Sequence, residues 1–157
     1  MPPRPNRVLR AWLWVTLCVA VILGFSSEAF SAGVTSGHFT RFVHWIWPHI
    51  TYRQLLAVHV WIRKAAHFTE YAVLAALAFR ALRLSLDVPL ARVVALSLGL
   101  VLAVALTDEA RQSVLPTRTG SLADVALDFA GGGAGLLAIV AVHRRLGIGP
   151  PLPSEKA

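Results

Sequence analysis

SLADVALDFAGGGAGLLAIVAV, residues 121–142, decides the fold, because its only charges are Asp124 and Asp128 near its start and an unbroken apolar run follows them. About 20 apolar residues suffice to cross a bilayer core, so this stretch reads as a membrane helix with one polar end. Asp124 and Asp128 are four apart and share a helix face. Further along, Gly131 and Gly135 form a small-xxx-small pair that lets another helix approach closely. Those two glycines are read as helix-packing positions that hold Asp128 against a neighbour.

The same pattern recurs upstream. Over 157 residues the chain is 56% hydrophobic and 15% charged, against about 25% charged in soluble domains. Apolar runs at about 11–27, 65–82 and 88–107 join 121–142 to predict an all-α, polytopic membrane protein: a compact four-transmembrane-helix bundle with short connections after the second and third spans. The transmembrane domain is expected over 11–145, with tails at 1–10 and 146–157 rich in proline. A cleaved signal peptide competes for the first run, since Arg4, Arg7 and Arg10 precede its apolar core and Ala29-Phe30-Ser31 resembles a cleavage site. Trp12, Trp14 and Glu28 favour a retained helix anchored at the interface.

Residues 26–63 form the one long connection and hold Phe39, Phe42, Trp45, Trp47, Tyr52 and Trp61. Aromatic rings of this kind settle at headgroup level, so an interfacial aromatic segment is expected between the first and second spans. His38, His44, His49 and His59 lie there too, at spacings that match no tight metal-ligand motif. No metal and no cofactor is expected. The lone Cys18 excludes an intramolecular disulfide.

Basic residues retained near the cytoplasmic face set orientation. With four spans and both termini cytoplasmic, nine of the 15 basic residues and two of the eight acidic ones fall inside, which places the whole net charge of +7 there. The positive balance therefore reads as topology and membrane-lipid contact, with no nucleic acid as partner.

In such a bundle the polar helix ends meet on the outer side. Lys64, His67, Glu70 and Tyr71 form one stripe opening the second run; Asp108, Glu109 and Gln112 close the third; Arg118, Asp124 and Asp128 open the fourth. Unpaired charge inside a bilayer costs several kcal/mol, so these groups are expected to face one another. All ten are ligand-binding candidates. His67, Glu70 and Asp108 are the acid–base candidates should the site be catalytic, and Ser121 reads as the cap of the last helix.

Lys64, His67, Glu70 and Tyr71, then Asp108, Glu109, Gln112, Pro116, Arg118, Ser121 and Asp124, then Gly131 and Gly135, in this order and spacing, resemble the signature of the VanZ-like membrane proteins. The Phe25-Ser26-Ser27 end of the first run is similar too, and the resemblance covers about residues 8–145. It implies a small bacterial inner-membrane protein of several helices, in a family whose founding member is associated with low-level resistance to the glycopeptide teicoplanin. Thr117 and Asp128 depart from the family's usual Gly and Asn.

Four functions compete. An outer mixed-charge pocket under an aromatic segment favours a non-enzymatic protein that binds a lipid-linked cell-wall precursor or another envelope component, with Lys64, Arg111 and Arg118 meeting phosphate or carboxylate. A membrane hydrolase or transferase would pair His67 with Glu70 or Asp108, but no serine elbow or HExxH accompanies them. A purely structural polar lock needs no ligand. An ion pathway would need a polar route through inner halves that are almost wholly apolar. Oligomeric state is not readable.

Overall fold

The computed structural model describes residues 5–26, 32–114 and 120–145, and within them the protein is entirely helical. Five helices follow in order: α1 (Pro5–Phe25), α2 (Ala32–Ile46), α3 (Tyr52–Ser85), α4 (Leu90–Ser113) and α5 (Leu122–Arg145). Three of them, α1, α4 and the 122–142 part of α5, are long and apolar enough to cross a membrane. α4, for example, has 24 residues. At a rise of about 1.5 Å per residue it reaches about 36 Å, more than a hydrocarbon core of about 30 Å. This is a membrane protein.

Its outer surface fits that setting. Leu13 and Trp14 on α1, Leu96 and Leu106 on α4 and Leu137 on α5 are all exposed. Lipid tails are as apolar as leucine, so helix association here relies on close packing and polar contacts instead of apolar burial. Tyr71, Leu74, Ala75, Ala78 and Phe79 of α3, with Ile22, Val93, Val101 and Leu136 from its neighbours, form the buried core.

α3 is the hub, packed against α1, α4 and α5. It runs 34 residues from a capping box in which Thr51 Oγ1 accepts from the Gln54 N–H while Gln54 Oε1 accepts from the Thr51 N–H at 2.9 Å. Hydropathy alone would start this helix at 65; it begins at Tyr52, after a short linker from α2 that holds Pro48. α3 is not among the three membrane-length apolar helices, because its middle carries the polar stripe from Lys64 to Tyr71. Small side chains are what suit it to the centre: Ala72, Ala75, Ala76 and Ala78 let three neighbours approach.

Other boundaries also differ from expectation. α1 begins at Pro5, inside the expected tail, with proline at the first helical position where its missing N–H costs nothing. α4 continues past 107 to Ser113 and so carries Asp108, Glu109 and Gln112 on the helix. The long connection expected to be one interfacial segment contains α2 and the first three turns of α3. Residues 146–157, the other expected tail, lie outside the described residues.

At one end of the bundle Trp12 Nε1 donates to Ser85 Oγ at 2.9 Å, which brings the start of α1 to the end of α3. At the other, Ser26 just past α1 meets the last turns of α4. The polar residues gather at this second end.

Candidate functional site

Helix ends place the polar groups. Asp108 and Gln112 are one turn apart on α4 and face inward, 0% and 3% exposed. Asp108 Oδ2 accepts from Ser26 Oγ at 2.7 Å and from Gln112 Nε2 at 2.8 Å. Beside them Arg111 Nη1 donates to the Leu23 carbonyl at 3.2 Å. That bond answers one of the carbonyls left free at the end of α1. Arg111 therefore ties α1 to α4 and does not line the cleft.

α5 starts where Ser121 Oγ accepts from the Ala123 N–H at 3.2 Å. This is the capping role expected of Ser121. The Ser121 N–H itself donates to Glu109 Oε2 at 2.7 Å, so a carboxylate of α4 holds the first turn of α5. Just inside, Asp124 pairs with Lys64 of α3. One turn deeper, Asp128 is wholly buried and its Oδ1 lies 3.5 Å from His67 Nδ1, longer than a usual hydrogen bond. Among the described residues, neither Asp128 oxygen accepts a hydrogen bond, nor does Asp108 Oδ1.

Tyr71 completes the floor. Its ring stacks on His67 with centroids 6.4 Å apart, and its fully buried hydroxyl has no hydrogen-bond partner among the described residues. Glu70 is half-buried within electrostatic reach of His67, Asp108 and Asp128. His67 beside Asp128 is an arrangement that can relay a proton. Among the described residues, no three His, Cys, Asp or Glu side chains converge to ligate a metal.

Above these groups opens a narrow cleft lined by Arg63, Lys64, His67, Glu109, Gln112, Leu127, Asp124 and Asp128. Six of the ten ligand-binding candidates line it, and Glu70, Tyr71 and Asp108 are not among its lining residues. Arg118 lies outside the described residues. His67 meets Asp128 in place of the Glu70 or Asp108 partner considered from sequence, because α5 and not α4 supplies the wall facing it. Arg63 and Ser26 were not among the site candidates. Arg63 sits four residues before His67 and so shares its helix face, a signal the spacing did carry; nothing in the sequence brings Ser26 to Asp108.

Packing below the cleft is set by glycine. A Cβ on Gly131 would collide with the Phe68 backbone and one on Gly135 with that of Ala72. Gly132 turns the other way, where a Cβ would lie 2.7 Å from Val101 Cγ1 of α4. α5 thus seats its backbone against α3, and its Asp124 and Asp128 opposite Lys64 and His67.

No curated protein and no solved structure matches this chain. With the polar stripe of α3 and the polar ends of α4 and α5 converging in the order and spacing already noted, residues 11–143 match the VanZ/LLP1 family model, and the chain belongs to the VanZ/LLP1 family.

Proposed function

We propose that this chain is a four-span protein of the bacterial inner membrane, with α1, α3, α4 and α5 crossing it and both termini cytoplasmic. Its outward cleft binds a phosphate- or carboxylate-bearing envelope component, in the first instance a lipid-linked cell-wall precursor. One observation carries the reading: Lys64 and Arg63 stand at the wall of a cleft whose floor is buried carboxylate, and Lys64 is balanced there by Asp124. An incoming anion can take Lys64 from Asp124, exchanging one charge partner for another without leaving a cation bare. Arg118, in the segment leading into α5, is assigned to the same anion. A protein that holds such a precursor on the outer face would also change the glycopeptide concentration that arrests growth.

A structural lock is the second reading, favoured by the hydrogen bonds that Ser26 and Gln112 both donate to the buried Asp108 Oδ2. The two readings part on Lys64. Purified in mild detergent, the wild-type chain is expected to retain lipid-linked precursors; Lys64→Gln and Arg118→Gln should retain several-fold less at unchanged folded yield. Asp124→Asn, which frees Lys64, should retain at least as much as wild type. Equal retention by all four proteins would leave the lock.

A further inference from the structure

Residues 32–63 contain Arg41, Arg53 and Arg63 and no aspartate or glutamate. They build α2, the linker after it and the first three turns of α3, an arm that leads into Arg63 and Lys64 of the cleft wall. At about 1.5 Å per residue, the stretch from Tyr52 to Lys64 extends α3 by about 18 Å. Its rings face outward: Trp45 is 78%, Tyr52 75% and Trp61 72% exposed. Phe42 and Trp45 stack with centroids 6.4 Å apart into one apolar surface beside Arg41. Among the described residues, α2 packs extensively on none of the other helices.

Exposed tryptophan and tyrosine with arginine, and no acid within the arm to pair that arginine, fit a surface that is apolar below and negative above. That is the boundary between acyl chains and anionic headgroups. A second copy of the chain would set one acid-free arm against another, like charge against like. We propose that the arm is an anionic-phospholipid-binding surface, its rings seated at the acyl–headgroup boundary and Arg41 and Arg53 on lipid phosphates. Arg63, at the foot of the arm and in the cleft wall, joins this surface to the cleft. The inference rests on the membrane placement proposed above and is independent of what the cleft holds.

The test uses the full chain in vesicles of equal parts phosphatidylcholine and phosphatidylglycerol. Lipid retained after mild extraction is measured, and tryptophan quenching by lipid brominated near the headgroup is followed. Wild type is expected to enrich phosphatidylglycerol, and R41Q/R53Q, which leaves Arg63 and Lys64 in place, should lose on the order of fivefold per arginine. In W12F/W14F the remaining arm tryptophans should be quenched. No enrichment by wild type, or enrichment untouched by R41Q/R53Q, overturns the proposal. So does an unquenched arm whose Trp45→Cys variant cross-links to another copy. If W45F/W47F/W61F, which keeps only the tryptophans of α1, is also unquenched, the membrane placement falls and takes the arm with it; precursor retention by the cleft variants is read separately.

Discussion

Asp108 and Asp128 are both wholly buried carboxylates, yet their surroundings assign them different work. Asp108 receives two hydrogen bonds, from Ser26 and Gln112. Asp108→Ala should cost about 1–3 kcal/mol, since it strands two buried donors, and should lower the melting temperature in detergent. Asp128 accepts none among the described residues, and its Oδ1 stands 3.5 Å from His67 Nδ1. Asp128→Asn keeps shape and removes charge, so its melting temperature should equal or exceed that of wild type. A fall as large as that of Asp108→Ala would make Asp128 a part of the lock and not of a binding site. The residue types were legible from sequence, because charge entering an apolar run needs a partner. Which partner each one takes was not: His67 could face any of several carboxylates on two helices, and the choice of Asp128 depends on how α5 is rotated against α3.

That rotation is decided by elements. α5 presents Gly131 and Gly135 to the backbone of α3 and Gly132 to Val101 of α4, while a Cβ on Gly133 would meet nothing within 4 Å. Gly135→Val should therefore push α3 and α5 apart and destabilise by about 1–3 kcal/mol through overpacking. Gly133→Ala should be neutral or stabilising by up to about 1 kcal/mol through helix propensity. Unfolding of the two variants in a denaturing detergent measures the difference, and equal stability would show that the close approach does not set the crossing. The Gly131/Gly135 pair was readable as a packing face; that Gly132 serves a different neighbour was not, since a one-residue step of about 100° gains meaning only once α4 is in place. Element boundaries were harder. α3 starts thirteen residues before its apolar run because Thr51 and Gln54 cap it there. Such a local hydrogen-bond signal is one that hydropathy does not register.

Across the whole molecule, charge sorts by end. Arg7 and Arg10 of α1, Arg80 and Arg83 of α3, Arg92 of α4 and Arg145 of α5 belong to the end marked by the Trp12–Ser85 contact, while the buried acids lie at the other. With Cys18 replaced by serine, His49→Cys in the α2–α3 linker should react with an impermeant maleimide on intact cells. Asp87→Cys in the α3–α4 turn should react only after permeabilisation. The reverse pattern would put the cleft in the cytoplasm and end the envelope reading. By itself the sequence determined the helical class, the membrane setting, the family and the end of the bundle where polar groups gather. The helical class, the membrane setting and the polar end follow from apolar run length and from the cost of charge in lipid, and the family from the order and spacing of the polar and glycine positions. Tertiary structure alone decided that Lys64 faces Asp124, that His67 faces Asp128, that Ser26 closes on Asp108, and that Arg63 and not Arg111 lines the cleft. Each of these depends on the rotation and depth of one helix against another, which is fixed by side-chain packing between residues dozens of positions apart and so is written in no single stretch of sequence.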